Sequence, residues 1–309
     1  MKNDKRIAVV GIGGVGGYLA GLLGRTCENL TLVARGERLA ALKQQGLTLH
    51  SDYKGEIHIV PKAVVLAEEL PEQDIIFLCV KTYSLEEVCR QIQAAVTDHT
   101  LIIPVMNGVD TSDRVREYLG KGIVVDSVIY IVTFANPDYS ITQQGKFSSL
   151  KLGCKIDSGL NLESLDALLS EADIDHELSE DVEAAIWKKY MLNCAYNVAT
   201  AYYDNTIGEL REDSNKAKEY EDLVYEALTV AQAKGIHLEK KDADEVIFKF
   251  YHEYGDELTS SLQRDLRAGR QSELAIFGAY LVGAAEEAGV EVPVSKRMYE
   301  GLQEKAKKH

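Results

Sequence analysis

The chain has 309 residues, an apolar content of 46% and a formal net charge of −15. This length is too great for one compact core and suits two domains. The excess of acidic residues argues against nucleic acid and anionic membranes as partners. The apolar runs are far shorter than the roughly 20 residues that cross a bilayer, and no signal-peptide pattern is seen, so a cytoplasmic protein is expected.

The first predicted elements are an apolar strand at Ile7–Val10, a glycine-rich turn and a helix that begins at Gly14. Gly11, Gly13 and Gly16 follow the spacing G-x-G-x-x-G, which allows a tight turn, backbone approach to a pyrophosphate and close helix-on-strand packing. The helix N-terminus offers free N–H groups and a positive dipole end to phosphate. These glycines, Gly14 included, therefore predict a dinucleotide site.

The second predicted strand, Leu30–Ala34, leads directly into Arg35. A cofactor that lacks a 2′-phosphate usually meets an acidic residue at this position. A guanidinium matches a phosphate in charge and geometry, so Arg35 predicts NADP(H) rather than NAD(H). Two alternatives stay open: Arg35 as a solvated residue at the entry of a helix, and a weaker NADP(H) preference because Glu37 lies close by.

Strands and helices alternate through the first half, which predicts a parallel, doubly wound Rossmann-type sheet. Polar residues follow two later strands, Lys81 after Ile75–Val80 and Asn107 after Leu101–Met106. Because ligands bind at the carboxyl ends of parallel strands, both residues are assigned to the cofactor. A surface lysine and a plain Asn-Gly turn are the competing interpretations. Three β-rich segments are expected to extend this sheet with antiparallel strands: Val128–Thr133, Ile141–Gln143 and Ser148–Leu152.

Beyond about residue 179 the β-rich runs disappear and long helical patterns dominate. We therefore expect an α/β protein of two domains, a Rossmann domain over residues 1–179 and an all-α domain over residues 180–309. The apolar helices of the second domain could bury a homodimer face or only their own core. The predicted helices, with C-caps at Gly235 and Gly289, are Asp181–Tyr203, Asn215–Lys234, Lys241–Tyr254, Leu258–Leu266, Gln271–Ala288 and Val294–Lys307.

The first of these helices is apolar on nearly all sides but carries Lys189, Asn193 and Asn197 at intervals of four residues. Each step drifts by only roughly 40° around the helix, so the three side chains form one stripe. A desolvated lysine has a lowered pKa, which suits proton donation. The alternative is a helix edge with a snorkelling lysine and capping amides. The adjacent Lys188 is the expected solvent lysine.

Glu273 is a lone carboxylate before an apolar helical run. A role at a reactive site and a simple favourable interaction with the helix dipole are both open. The five cysteines and seven histidines are scattered without metal-ligand spacing, so no metal is assigned and reduced thiols are expected.

The order of these motifs resembles the ketopantoate reductase family over nearly the whole chain. The residues that carry the resemblance are the glycine turn at 11–16, Val33-Ala34-Arg35, Val80-Lys81-Thr82, Asn107-Gly108, Trp187-x-Lys189-x-x-x-Asn193-x-x-x-Asn197, Ser260-Ser261-Leu262-Gln263-x-Asp265, and Glu273. The resemblance implies a Rossmann domain, a helical domain and a cleft between them. It also implies NADPH-dependent reduction of 2-dehydropantoate, a 2-oxo acid, to pantoate on the route to pantothenate.

By that resemblance, Lys189 is the general acid that protonates the ketone, and Glu273 holds a substrate hydroxyl and orients the site. The other implied roles are substrate binding by Asn193, Asn197 and Ser261, a place between cofactor and substrate for Asn107, and NADPH binding by Arg35 and Lys81.

The chain departs from the family pattern at Ser84, Ile207, Ala275 and Phe277. These positions fall near implied cofactor and substrate contacts. A related NADPH-dependent reductase of another 2-oxo acid or ketone is therefore an alternative. A non-catalytic NADP(H)-binding sensor is a third hypothesis, against which the presence of Lys189 argues.

Overall fold

A computed structural model describes residues 4–155 and 160–307. The chain divides into two compact units, Met1–Val182 and Glu183–His309. The first unit is α/β and the second is helical, as expected for the fold class. The strands are β1 Ile7–Val10, β2 Leu30–Val33, β3 Leu47–Ser51, β4 Gly55–Ile59, β5 Ala63–Val65, β6 Ile75–Leu78, β7 Leu101–Pro104, β8 Ile123–Val124, β9 Asp126–Ala135, β10 Ile141–Gly153 and β11 His176–Leu178.

Most helices of the second unit begin and end within a few residues of the sequence expectations, but the short α7 was not predicted. The helices are α1 Gly14–Leu23, α2 Gly36–Gln45, α3 Leu85–Gln91, α4 Thr111–Leu119, α5 Glu163–Glu171, α6 Val182–Tyr203, α7 Ile207–Glu212, α8 Ser214–Ala233, α9 Lys240–His252, α10 Ser261–Arg267, α11 Tyr280–Ala288 and α12 Pro293–Ala306, with short 3₁₀ turns at Ala67–Glu69, Thr82–Ser84 and Ile92–Ala95. The expected C-caps are confirmed, since Gly235 and Gly289 have φ values of 80° and 69°.

The first sheet is parallel throughout, with the strand order β5-β2-β1-β6-β7-β8. Strands β1, β2 and β6 are buried at every residue, as expected of parallel strands covered on both faces. One face packs against α3 and α4, and the other packs against α1. Along the chain, β1 is followed to one side by β2 and β6 is followed to the other side by β7. The strand order therefore reverses between β1 and β6, which is where such sheets bind ligands.

The expected extension of the parallel sheet by the later β-rich segments is wrong. Strands β9 and β10 pair antiparallel with each other in a separate mixed sheet of order β11-β10-β3-β4. Strand β10 pairs with β3 in the register Ile141↔Leu49, so its hydrogen-bonding edge is occupied by the β3–β4 hairpin, which was not predicted from the sequence. Helix α1 contacts both sheets and shares one hydrophobic core with them. The glycine-rich turn is thus held between two sheets.

The expected single helix over 271–288 is also wrong in part. The residues Ala275–Ala279 form a π-helical turn, and regular α-helix resumes at α11. In the described residues, no helix is long and apolar enough to cross a membrane. All five cysteines are free thiols.

Candidate functional site

The strand order brings the predicted cofactor residues of the first unit to one edge of the parallel sheet. Arg35 follows β2, the glycine turn follows β1, Lys81 follows β6 and Asn107 follows β7, and these four strands are neighbours. Arg35 and Lys81 are exposed, and Asn107 is half-buried. The Thr111 hydroxyl donates to the Asn107 carbonyl oxygen at 2.8 Å, which fixes the loop after β7 against the start of α4. The edge therefore carries two cations and an amide around the glycine turn.

The glycines of the turn differ in how closely other atoms approach them. Gly11 has a φ of 91°, and a Cβ there would lie 2.7 Å from the Cys79 carbonyl oxygen. A Cβ on Gly16 would overlap the Gly11 carbonyl oxygen, so this residue sets the close packing of α1 on β1. Gly14 is packed too, because its Cβ would lie 2.7 Å from Thr133 Oγ1. A Cβ on Gly13 would meet nothing within 4 Å, so the space beside it is open to a ligand.

The N-terminus of α1 is suited to an anionic ligand. Gly13 is the N-cap residue, no side chain caps the helix, and its first turn carries no acidic residue. Helix N–H groups without an internal partner and the positive dipole end are a ready site for phosphate. Together with the open space at Gly13, these features fit a dinucleotide pyrophosphate.

In the second unit, Lys189 and Glu273 interact electrostatically, although they lie on different elements. Lys189 is on α6, and desolvation lowers its pKa from 10.5 to about 8, while the charge of Glu273 acts in the opposite direction. The Glu273 residue is only 5% exposed and immediately precedes the helical segment that contains the π-helical turn. A half-buried lysine with a pKa of about 8 beside a buried carboxylate is a candidate proton donor.

The neighbouring Lys188 has a contrasting environment. Burial lowers its pKa, but hydrogen bonds to Glu245 at 2.7 Å and Asp242 at 2.9 Å outweigh this effect and raise the pKa above the usual value. Lys188 was expected to be the solvent-facing lysine, which is consistent with these ion pairs and with a side chain that is 30% exposed. The two consecutive lysines thus differ in environment: Lys188 is held in ion pairs, whereas Lys189 is desolvated.

Asn197 joins α6 to the start of α10. Its Nδ2 donates to the Asn193 carbonyl oxygen at 3.0 Å. Its Oδ1 accepts from Ser261 Oγ and from the Leu262 backbone N–H, both at 3.3 Å. Asn197 is only 4% exposed, so its carboxamide acts on neighbouring protein groups and holds Ser261 in place. Asn193 is half-buried on the same stripe as Lys189.

The Ser260 side chain fastens the same junction; it belongs to the Ser260-Ser261-Leu262-Gln263 motif, but no role was predicted for it from the sequence. It is the N-cap of α10, accepting from the Gln263 backbone N–H at 3.1 Å, and it also accepts from Thr200 Oγ1 at 2.8 Å. Thr200 lies three residues after Asn197 and returns to the same face of α6, which is the signal that could have identified it.

A second missed residue is Tyr190, which lies next to Lys189 on α6. Its hydroxyl donates to the Ile276 carbonyl oxygen at 2.7 Å, inside the π-helical turn that follows Glu273. Its ring packs edge-on against Trp187 and Tyr280. Because π-helical turns are rare and frequent at functional sites, this contact ties the two candidate catalytic elements together.

Two family models match this chain. "Ketopantoate reductase PanE/ApbA" matches residues 7–155, and "Ketopantoate reductase PanE/ApbA C terminal" matches residues 181–306. The chain belongs to the ketopantoate reductase family. A 2-dehydropantoate 2-reductase of Mesorhizobium japonicum is 30% identical over 92% of this chain and 91% of its own length. An uncharacterized oxidoreductase of Bacillus subtilis, YkpB, is 24% identical over 96% of this chain and 98% of its own.

Solved structures share the fold of this ketopantoate reductase family member. The family's structure from Ralstonia eutropha has a TM-score of 0.88 at 24% identity and covers 98% of both chains. D-mandelate dehydrogenase with NADH and anilino(oxo)acetate has a TM-score of 0.87 at 21% identity, again over 98% of both chains. A dimeric ketopantoate reductase from Staphylococcus aureus has a TM-score of 0.83 at 21% identity and covers 98% of this chain and 99% of its own. The family's members are oxidoreductases.

Proposed function

We propose that this chain catalyses the NADPH-dependent reduction of 2-dehydropantoate to pantoate. The observation that carries the proposal is the half-buried Lys189 with a pKa of about 8, interacting with the buried carboxylate of Glu273, in a member of the ketopantoate reductase family. A ketone that accepts a hydride develops negative charge on its oxygen, and an ammonium group that can release a proton is the matching partner.

The first unit holds the cofactor in this proposal, and bound NADPH supplies the hydride. The backbone around Gly11, Gly13, Gly14 and Gly16, with the start of α1, receives the pyrophosphate. Arg35 receives the 2′-phosphate, for which a guanidinium has the right charge and fork geometry. Lys81 and Asn107 serve the other half of the cofactor, because they lie across the β1–β6 switch from Arg35.

The second unit supplies the proton and the substrate contacts. Lys189 donates its proton to the ketone oxygen, and Glu273 accepts a hydrogen bond from a substrate hydroxyl. Asn193 and Ser261 bind polar groups of the substrate. Asn197 is assigned to the same site through its hydrogen bonds, since it holds Ser261 and the first N–H groups of α10.

The decisive experiment follows NADPH absorbance with 2-dehydropantoate and a panel of other 2-oxo acids. We expect kcat/KM for 2-dehydropantoate to exceed that for each panel member by at least tenfold. Equal or better turnover of another 2-oxo acid would discard the assigned substrate while keeping the lysine mechanism. Binding of NADPH without turnover of any carbonyl compound would discard the enzyme assignment and favour a sensor.

Reduction of a different 2-oxo acid is the second candidate. Among the residues that depart from the family pattern, Ile207 and Phe277 are fully buried in the helical unit, whereas Ala275 is exposed beside Glu273. The family often has an aspartate at this position, so Ala275 carries fewer side-chain atoms two residues after Glu273, whose carboxylate is assigned to the substrate hydroxyl. A 2-oxo acid with an aromatic group at that point is the natural comparison in the panel, because D-mandelate dehydrogenase has the same fold.

We infer a cytoplasmic enzyme of two domains, over residues 1–179 and 180–309, that forms a homodimer. The dimeric Staphylococcus aureus enzyme supports the last inference. The mass of the intact protein in solution, measured by light scattering, tests it.

A further inference from the structure

A set of contacts beside the end of β2 joins α2 to the turn between β9 and β10. Tyr139 Oη donates a hydrogen bond to Glu37 Oε2 at 2.7 Å. Arg38 Nη1 donates to the Tyr139 carbonyl oxygen at 3.3 Å, and its guanidinium carbon lies 5.2 Å from the centre of the Tyr139 ring. Gln45 Nε2 donates to the Asp138 carbonyl oxygen at 3.1 Å. The turn is therefore fastened to α2 at several points.

The turn itself is firmly built, so it presents Tyr139 in one orientation. The Asn136 backbone N–H donates to the Ser140 carbonyl oxygen at 2.8 Å, and Asn136 Nδ2 donates to Ser140 Oγ and Thr142 Oγ1, both at 2.9 Å. Asp138 Oδ1 accepts from the Ser140 backbone N–H at 3.0 Å. Tyr139 has a φ of 70°, a backbone conformation that a bulky residue adopts only where its surroundings enforce it.

Glu37, which Tyr139 holds, carries the same sign of charge as the 2′-phosphate of the proposed cofactor. Arg35 is exposed, and no other side chain in the described part of the chain pairs with its guanidinium. Glu37 follows two residues later in the first turn of α2. In sites that prefer NAD(H), a carboxylate near this strand end binds the ribose hydroxyls, and the same charge repels a 2′-phosphate. The orientation of the Glu37 carboxylate therefore bears directly on cofactor choice.

We propose that Tyr139 is a specificity-determining residue that favours NADPH by holding the Glu37 carboxylate away from the adenosine ribose. This inference rests on the cofactor assignment of the proposed function. With Glu37 bound to the phenol, Arg35 meets the 2′-phosphate without a competing anion. If the phenol is removed, the carboxylate is free to turn towards the ribose. There it repels the 2′-phosphate of NADPH, whereas it accepts a hydrogen bond from the 2′-hydroxyl of NADH.

The test measures the Kd of NADPH and of NADH for the intact protein by fluorescence titration. Tyr139→Phe keeps the ring beneath Arg38 and removes only the hydroxyl. We expect it to lower the NADPH-over-NADH selectivity roughly fivefold, an effect that shrinks at high salt. Adding Glu37→Gln to this variant should restore the wild-type selectivity, because the carboxylate that the phenol restrains is gone. Tyr225→Phe is the matched control, since it breaks a similar 2.7 Å bond to an exposed carboxylate in the other unit.

The outcomes separate this inference from the function on which it rests. Unchanged selectivity in Tyr139→Phe would overturn it and leave NADPH use intact. A loss of selectivity that Glu37→Gln does not rescue would also overturn it, because Tyr139 would then act only on the structure of the turn. A wild-type protein that prefers NADH would overturn both the inference and the cofactor assignment.

Discussion

Two consecutive lysines on α6 allow the proton donor to be tested with a matched pair. Lys189 has a pKa lowered to about 8 by desolvation, whereas Lys188 is paired with Asp242 and Glu245. We expect Lys189→Met to reduce kcat by about 10²–10⁴, the usual contribution of a positioned acid, with the Kd of NADPH unchanged. Lys188→Met should keep kcat within about threefold of wild type. Comparable losses in both variants would show that helix integrity, and not proton donation, had been measured.

The pH dependence of the reaction follows from the same lysine and its carboxylate neighbour. A general acid must be protonated, so reduction should slow as the pH rises through about 8. The charge of Glu273 raises the pKa of Lys189, so Glu273→Gln should lower that pKa and move the falling limb of kcat to lower pH. A pH–rate series on both proteins measures the limb. A limb that stays in place in Glu273→Gln would remove Glu273 from the electrostatics of the acid.

Two glycines of the turn after β1 separate folding from cofactor binding at the scale of the element. A Cβ on Gly16 would overlap the Gly11 carbonyl oxygen, so Gly16→Ala should destabilise the first unit by more than about 2 kcal/mol. A Cβ on Gly13 meets open space, so Gly13→Ala should fold normally but bind NADPH at least tenfold more weakly, because the methyl group takes the place of the pyrophosphate. Thermal unfolding and cofactor titration provide the two readouts. Normal cofactor binding by folded Gly13→Ala would mean that the pyrophosphate lies elsewhere.

The role of the π-helical turn after Glu273 can be tested with a pair of Tyr→Phe variants. Tyr190→Phe leaves the buried Ile276 carbonyl oxygen without its side-chain donor, a loss of about 1–3 kcal/mol in the free energy of unfolding. We expect kcat to fall with it, because the turn positions Glu273. Tyr220→Phe is the control, since the Tyr220 hydroxyl is buried without a hydrogen-bond partner among the described residues and its removal should be neutral or stabilising. Loss of stability with unchanged kcat would confine Tyr190 to a structural role.

For the whole molecule, the sequence was most informative where one element carried the whole signal, although the local β3–β4 hairpin was not predicted. The glycine spacing after β1 and the four-residue stripe of Lys189, Asn193 and Asn197 each lie within one element, so they could be recognised without the fold. The mixed sheet could not be assigned in this way, because β10 pairs with β3 across about ninety residues. The same applies to the bond from Tyr190 to Ile276, which joins residues 86 positions apart. The site residues themselves stay predictions until the variants are measured.

Lys189 should also lower the free energy of unfolding of the protein at neutral pH. Its folded pKa of about 8 lies below the usual 10.5, so between these pH values the unfolded chain binds more protons, and stability should rise with pH. At pH 7 the protonated lysine therefore lowers the free energy of unfolding by up to about 3 kcal/mol. Lys189→Met should be more stable than wild type, by an amount that shrinks towards pH 10.5.

Trp187 provides the probe for this measurement, since it is the single tryptophan, is 2% exposed and lies two residues from Lys189 on α6. Denaturant unfolding followed by its fluorescence, at several pH values, reports on the helical unit. Lys188→Met should behave in the opposite sense and lose up to about 1 kcal/mol at pH 7, because its ion pairs disappear. A Lys189→Met variant less stable than wild type at pH 7 would mean that the lysine is not desolvated in the folded protein, and the basis for its role as the acid would be lost.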